Sequence, residues 1–489
     1  MPARTGAELL RGLRDDREIW VGNDKVRDVV AHPAFSGAAR GLAAVFDLQH
    51  AAPEDCLFPD PETGEPINVS HMIPRSPADL KRRHRGLRRI SEHTVGVMGR
   101  TPDYMNVTYA GFAGCAHEWA EHGNEAGAAR QVEYQKFLRR NDICLTHTLI
   151  HPTIDKARDE IPGKENAVIL HKIADTEHGI VVRGARILST LAPFADELAV
   201  YPGRPLPEGG DKFAVSFCIP MATPGLKFIC RDSVAGTDNR FDHPLSSRFD
   251  EQDAFVIFDD VEIPRGRLFI DANAKVYNQV MTRSWNPNVM QQTMVRASTK
   301  LEFSWALATA MTEAIGDKSP VAQQMLGELW SYAELARAAV ENAEDHATEW
   351  GAEWGESVWF PEAAPLSALR ATMPFWMPRA NEIIKLLGSH NLLATPTWHM
   401  MNNAELRPYI DKYLHGASGI SAERRIRLFR LAWDYAGTAL ASRVELYERF
   451  YLTSGARNQQ RAQANAKRDR AMALVERFLN EPVDPPDLI

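Results

Sequence analysis

The 489-residue sequence has only five cysteines, Cys56, Cys115, Cys144, Cys218 and Cys230. Their number is odd, they are widely scattered and none forms a CxxC pair, so they read as reduced, buried thiols rather than a disulfide framework or a zinc site. Neither GxGxxG after a strand nor GxxxxGK[ST] occurs, which disfavours a Rossmann dehydrogenase and a P-loop enzyme. No apolar run approaches a membrane span. The opening stretch MPARTGAELLRGLRDDREIW carries charge throughout and lacks a signal-peptide core, so the cytoplasm is the expected compartment. A positive excess is also missing: 56 basic against 64 acidic residues leave a net charge of -8. That argues against nucleic acid or an anionic membrane as the main partner. The local exception, Lys81 to Arg89, reads as a solvated or subunit-facing helix side, with an anion site as the lesser alternative. HEWAEH does not carry zinc-protease chemistry, because His117 and His122 are five apart and a helix would turn them off one face.

What is present is a globular composition, 44% hydrophobic and 25% charged, in a chain long enough for about three domains. Residues 1–145 read as an α-helical domain from GAELLRGL, GAARGLAAVFDLQH and DLKRRHRGLRRISEHTVGVMG, which repeat apolar residues at helical intervals. The central domain, 146–272, carries short β-rich runs from about residue 165: NAVILHKIADTEHGIVVRGARIL, DELAVYP, KFAVSFCIP, LKFICRDS and DAFVIFDDVEI. These suggest an antiparallel barrel or sandwich. From 273 to 489 the helical period returns in long segments, including AERRIRLFRLAWDYAGTALASRVELYERFYL, as in a bundle ending in a tail. WFPEAAPLSALRATMPFWMP, with four prolines, reads as a bend between helices, and NEPVDPPDLI as poorly ordered. The fold class is α+β, mainly α.

Two segments carry chemistry. In CLTHTLIHPTID, His147 and His151 are four apart, but Pro152 would stop a helix presenting both, and no Cys, Asp or Glu completes a ligand pattern. A polar turn between domains accounts for the segment equally well. In GRTPDYM, Thr101 at an N-cap, Pro102 at N1 and Asp103 in the first turn mark a helix start. Arg100 and Tyr104 flank it, joining a permanent cation and a phenol to the positive end of a helix dipole, which favours an oxyanion. Read locally, a capped helix with a surface arginine is the alternative.

Together GRTPDYMN, LTHTLIHPTIDKAR, GIVVRGARILSTLAPFADEL, FDHPLSSRFDEQDAFVIFDDVEIP and FRLAWDYAGTALASRVELYERFY, in this order, resemble one family. It is the oxygenase component of two-component, FADH2-dependent aromatic hydroxylases, the 4-hydroxyphenylacetate 3-monooxygenase and chlorophenol monooxygenase group. The resemblance implies an acyl-CoA-dehydrogenase-like architecture of N-terminal α-domain, central β-barrel and C-terminal four-helix bundle, usually a homotetramer. It also implies FAD, delivered reduced by a separate NAD(P)H:flavin reductase, with O2 as co-substrate. The missing Rossmann fingerprint fits, since this chain need not bind NAD(P)H.

Arg100, Tyr104 and His147 match the family positions that bind the phenolic oxygen. The implied reaction is attack by an electron-rich ring on a flavin C4a-hydroperoxide, so a phenolate is the better nucleophile. His147 would accept the phenol proton, Arg100 stabilise the oxyanion and Tyr104 orient it. His147, Thr148 and Leu149, then Thr153, Ile154, Asp155 and Lys156, match cofactor-contacting segments; so do Thr190 and the loop Ser454, Gly455, Ala456 and Arg457. Arg457 would suit a pyrophosphate, while Thr190 and Ser454 would serve equally as backbone caps. Where hydroxyphenylacetate enzymes place Ser-Thr against the substrate carboxylate, this chain has Gly203 and Arg204. Arg204 suits a carboxylate or nitro group, or points to water, and a halo- or nitrophenol is equally open. Two alternatives share the architecture. A 4-hydroxybutyryl-CoA dehydratase would need cluster cysteines where Arg100 and Tyr104 stand, and an acyl-CoA dehydrogenase would need a carboxylate base and a CoA channel that the sequence does not reveal. A non-enzymatic helical scaffold is the remaining class.

Overall fold

The computed structural model describes residues 3–153, 168–235, 239–281, 285–355, 357–450 and 453–481. The expected cofactor residues Ile154, Asp155 and Lys156, and residues 482–489 of the expected tail, lie outside them.

Helices dominate the first third. Gly6–Gly12 starts at a capping box between Thr5 and Glu8; Ser36–Ala51, Pro77–His93, Pro102–Gly114 and Glu125–Asn141 follow. This third also contributes strands the helical periodicity did not reveal. Glu18–Val21 and Asp24–Val26 form a hairpin around Gly22, whose φ of 56° suits glycine.

The runs read as β are strands. Asp253–Pro264 is the spine of a six-stranded sheet, with Leu226–Cys230 on one side and Gly179–Thr190, then His171–Asp175, on the other. Glu18–Val21 extends the sheet by pairing parallel to Leu226–Cys230. A second, four-stranded sheet runs in the order Leu268–Asp271, Val215–Pro220, Glu197–Val200, Leu145–Thr148, the last two parallel. A bridge between Ile150 and Ile187 joins the two sheets. It brings the end of the Leu145–Thr148 strand, with His147 on it, against Gly179–Thr190.

The C-terminal half is helical. Asn286–Ile315 packs on Pro320–Asp345 and Ala363–Gly388, and also touches Pro77–His93 and Pro102–Gly114, so one long helix links the two helical regions. The proline-rich run does not bend between helices, as its composition suggests. Ala363–Gly388 continues through Pro374 and Pro378. The lost backbone donors are outweighed by a buried face including Leu366, Leu369, Met373, Met377, Ile383 and Ile384. The last long helical segment does break, at Gly437 and Thr438, into Ala422–Ala436 and Ala439–Arg449. Thr438 there turns its hydroxyl onto the Asp434 carbonyl at 2.9 Å. The final helix, Asp469–Leu479, buries nothing and leaves Met472, Leu474, Val475, Phe478 and Leu479 exposed.

The basic run is largely a solvated face, with Lys81, Arg85 and Arg89 exposed, and departs from it at Arg83 and His84. Arg83 is fully buried and donates to Gln291 and Asn288 at 2.8 Å each, while His84 meets Glu344 at 2.8 Å. All five cysteines are free and buried. Among the described residues no helix is long and apolar enough to cross a membrane.

Buried charge fixes the helix Ala439–Arg449 against the rest. Glu448 receives Arg296 through both oxygens, at 2.9 and 3.0 Å, and Lys300 at 2.9 Å. Burial alone would raise its pKa, but the two cations outweigh burial and bring it to about 2. Its stabilising share is therefore complete above the ordinary glutamate range and is lost as pH falls toward that value. Glu448→Gln, which leaves two buried cations without a full counter-charge, should cost about 3–5 kcal/mol in urea unfolding at neutral pH. It should also lose part of the parent's sensitivity to acid, and equal stability of the two proteins at pH 7 would count against this role.

Candidate active site

The helix Pro102–Gly114 has Thr101 at its N-cap and Pro102 in its first turn, although the Thr101 hydroxyl does not cap a backbone amide. Arg100 therefore leaves the helix from its positive end, while Tyr104, one turn in, is held at 1% exposure. His147 comes from the Leu145–Thr148 strand, whose side chains are buried on both faces.

The structure brings these three together. The Tyr104 and His147 rings stack at 5.3 Å with an interplanar angle of 25°. The Arg100 guanidinium lies 4.0 Å from the Tyr104 ring centroid, a cation–π contact. Two aromatics with no role assigned from sequence complete the group. Tyr201 stacks with His147 at 5.5 Å and 24°, and Tyr447 lies 5.0 Å from Arg100 on another side and accepts a hydrogen bond from Arg100 Nη1. Gly99 makes that approach possible, since a Cβ there would fall 2.4 Å from the Tyr447 ring.

Electrostatics follow from this packing. Burial pushes the His147 pKa well below its ordinary value and the charge of Arg100 adds to the effect, so the imidazole is neutral and free to accept a proton. Burial would lower the Arg100 pKa, but Tyr104, Tyr447, Tyr201 and Glu251 raise it, which fixes the guanidinium as a cation. Glu251 also accepts the Arg100 backbone amide.

Behind Arg100 stands a second set of charges. Arg443 donates to Glu251 at 2.6 Å and to both oxygens of Asp253 at 2.7 and 2.9 Å. Asp253 in turn accepts the Thr190 hydroxyl at 2.8 Å. Thr190 thus uses its proton on a side chain, and among the described residues no backbone amide donates to its hydroxyl. Glu251, Asp253, Arg443 and Tyr447 all lie in segments that carry the family resemblance, and their acid–base pairing is the signal that could have singled them out.

The other expected residues divide. His151 sits beside Arg186, 3.4 Å from its Nη1, and not in the aromatic stack; burial, with Arg186 and Arg204 adding, brings its pKa down to about 3. Gly203 packs on the Leu149 carbonyl, so closely that a Cβ would come within 2.5 Å, and its amide donates to the Tyr277 hydroxyl at 3.0 Å. The Arg204 side chain is exposed. Ser454 caps the helix Gly455–Ala464 by accepting the Arg457 amide at 3.4 Å, and Ala456 and Arg457 are exposed; this helix packs on Ala363–Gly388. Thr153 is exposed at the edge of the described chain. His117 stacks on Trp354 at 3.8 Å, and His122 stands at a φ of 55°, which turns the two histidines to separate environments.

Several buried polar atoms near the trio make no well-formed hydrogen bond: the hydroxyl of Thr148, the indole N–H of Trp285, Arg186 Nε and Nη2, and the hydroxyl of Tyr201. Tyr201 is directed toward Tyr104 and Trp285, and Arg186 toward Tyr277, without good hydrogen-bond geometry. Buried donors and acceptors are rarely left unsatisfied. This set, with the fixed cation of Arg100, suits a polar heteroaromatic cofactor and a phenol.

Comparison with known proteins agrees with that chemistry. Residues 5–270 match the profile of the 4-hydroxyphenylacetate 3-hydroxylase N terminal, and residues 276–480 that of its C terminal. The 4-hydroxyphenylacetate 3-monooxygenase oxygenase component of Thermus thermophilus is 35% identical, with 98% of each chain covered. The 4-nitrophenol 2-monooxygenase oxygenase component of a Rhodococcus species is 30% identical, over 91% of this chain and 85% of that one. A crystal structure of the oxygenase component of 4-hydroxyphenylacetate 3-monooxygenase complexed with FAD and 4-hydroxyphenylacetate superposes with a TM-score of 0.91 at 34% identity, covering 98% of this chain and 99% of that one. An archaeal 4-hydroxybutyryl-CoA dehydratase shares the fold, with a TM-score of 0.88 at 17% identity.

The depressed basicity of His147 has a direct spectroscopic consequence. With nitrogen-15 in the histidine rings, the His147 resonances should stay those of neutral imidazole as pH falls through about 6.5, the ordinary histidine midpoint. A His147 midpoint at that pH would contradict the buried, Arg100-facing placement.

Proposed function

The chain belongs to the 4-hydroxyphenylacetate 3-hydroxylase family, and from that footing we propose that it is the oxygenase component of a two-component monooxygenase that hydroxylates a phenol with reduced FAD and O2. The observation that carries this reading is the buried group in which Arg100 lies against Tyr104 and Tyr104 stacks with a neutral His147. Reduced FAD, once bound, supplies the activated oxygen, and a separate NAD(P)H:flavin reductase supplies the reduced FAD.

The chain's own residues prepare the phenol. Arg100 faces the phenolic oxygen with a charge that is never lost, so the phenolate is favoured over the phenol. His147 is neutral before substrate arrives and accepts the phenolic proton. The new anion beside it then raises the imidazole's proton affinity and partly cancels the effect of Arg100. Tyr104 and Tyr201 hold the imidazole plane by stacking and keep water out of the site. Thr148 and Thr190 offer hydroxyls to the cofactor, and the peptide groups of His147 to Leu149 offer N–H donors and C=O acceptors.

The remaining features of this reading concern setting and substrate. The chain divides into an N-terminal α-domain, 1–145, a central barrel of the two linked sheets, 146–272, and a helical bundle with its tail, 273–489. It assembles as a homotetramer in the cytoplasm. Supporting assembly, the helix Asp469–Leu479 has an apolar face that no described residue covers, and Ala456 and Arg457 stand at the surface where they can reach a cofactor held by another copy. Free buried thiols fit a reducing compartment. Among phenols, one with an anionic arm is favoured by Arg186. It is fully buried, donates to the Leu149 carbonyl at 2.9 Å and has Tyr277 beside it. A nitrophenol is the second reading, favoured by the exposed Arg204 beside His151.

With photoreduced FAD, O2 and a panel of 4-hydroxyphenylacetate, a chlorophenol and a nitrophenol, at least one should yield hydroxylated product. Arg100→Met and His147→Ala should each reduce product per flavin oxidised by about 10²-fold or more, the general range for lost proton-transfer or oxyanion groups, with hydrogen peroxide released instead. Unchanged coupling in His147→Ala would remove it from the base role, and no product from any phenol would sink the reading.

A further inference from the structure

We propose that Arg4 is a positioning residue for the site: it clamps together the roots of the two parallel strands that deliver His147 and Tyr201, and so sets the stack between their rings. Its effect on the reaction rests on the reading of His147 as the proton acceptor, whereas the clamp itself consists of contacts within the chain.

His147 and Tyr201 leave the four-stranded sheet from neighbouring strands. Leu145–Thr148 and Glu197–Val200 run parallel, with His147 opposite Ala199 and Thr148 opposite Val200, and Tyr201 follows at once. The stack of imidazole on phenol at 5.5 Å therefore depends on the register of this pair. A slip of one residue would turn His147 to the other face of the sheet. An aspartate stands just before each strand, Asp142 before the first and Asp196 before the second. The Asp196 amide donates to the Cys144 carbonyl at 2.8 Å, and the Cys144 amide donates to the Asp196 carboxylate at 2.7 Å, which ties the two roots to each other.

Arg4 lies 138 residues before Asp142 and reaches both aspartates at once. Its Nη1 and Nη2 donate to the Asp196 carboxylate at 3.2 and 2.5 Å, and its Nε donates to the Asp142 carbonyl at 2.9 Å. The Arg4 backbone amide adds a bond to the Asp142 carboxylate at 3.0 Å, and Gln49 donates to both the Arg4 carbonyl and that carboxylate, at 2.6 and 2.8 Å. Asp142 needs this support. With φ of 47° and ψ of 48° it is left-handed, a conformation that costs energy for a residue with a side chain. Burial would lower the Arg4 pKa, but Asp196 and Asp142 raise it, so the clamp stays charged. Its shape matters as much as its charge, because a guanidinium holds its donors in a fixed plane and an ammonium does not. A root that loosens lets the imidazole tilt, and a base acts only within hydrogen-bond reach of the proton it takes.

Two full-length variants test the clamp. Arg4→Ala removes the fork but keeps the backbone contacts, and Arg4→Lys keeps the charge without the fork. Ring currents from Tyr104 and Tyr201 should displace the His147 ring-proton resonances in the parent, and in both variants these should move toward the values of an unstacked histidine. With photoreduced FAD, O2 and saturating amounts of the phenol the parent hydroxylates best, product per flavin oxidised should fall about tenfold or more in both. Added methylguanidinium should restore both readouts in Arg4→Ala, and methylammonium neither. Circular dichroism melts establish that each variant is folded; if Arg4→Ala is not, Arg4→Lys carries the comparison. Parental His147 resonances in a folded Arg4→Ala overturn the clamp, even if its melting temperature drops. Parental resonances in Arg4→Lys show that charge alone suffices and overturn the fork. Displaced resonances with a parental product yield overturn the positioning role and the base reading of His147 together. A parent that hydroxylates no phenol overturns the functional reading, while the resonances still decide the clamp.

Discussion

Arg443 holds the site together. It lies on the helix Ala439–Arg449 and reaches Glu251 and Asp253, which stand at the start of the strand Asp253–Pro264. Glu251 fixes the Arg100 backbone, Asp253 fixes the Thr190 hydroxyl, and one turn beyond Arg443 the same helix supplies Tyr447 to the Arg100 guanidinium. Residues distant in the chain therefore meet through one cation. Taking such a charge out of water costs several kcal/mol, and only near-complete pairing offsets it. Arg443 has that pairing: its pKa is raised by Asp253 and Glu251 despite burial.

Arg100 has different neighbours. Arg443 is surrounded by carboxylates, whereas Arg100 faces the π-systems of Tyr104 and Tyr447 and only its backbone meets Glu251. A guanidinium neutralised by a carboxylate would have little field left for a substrate oxygen. Aromatic faces stabilise the cation without cancelling its charge, so the guanidinium is buried with its field intact. Burial, with the same field adding to it, lowers the proton affinity of His147, which keeps the imidazole unprotonated where an isolated histidine would be partly charged.

The sequence was most informative where periodicity and ordered motifs reinforced each other. The runs read as β are strands, the main helices are present, and Arg100, Tyr104 and His147 converge although they come from a loop, a helix and a strand. Other features were illegible for identifiable reasons. Pro374 and Pro378 read locally as breakers, yet the buried face of their helix overrides that local cost. Arg83 reads as solvated because its uncharged partners Gln291 and Asn288 lie far along the chain. Glu18–Val21 is too short to show a strand period, and only its pairing with Leu226–Cys230 defines it. Tyr201 and Tyr447 carry no local signature, since an aromatic in an apolar run is normally core.

Gly99 and Tyr447 meet so closely that neither position is free to vary alone. Any side chain at 99 would displace the phenol that accepts from Arg100, and a smaller residue at 447 would leave a void over the guanidinium. The two positions, at opposite ends of the chain, constitute one inherited character. In chimeras that join the front half of one relative to the back half of another, activity would depend on whether this pair came from the same parent, even where each half folds faithfully.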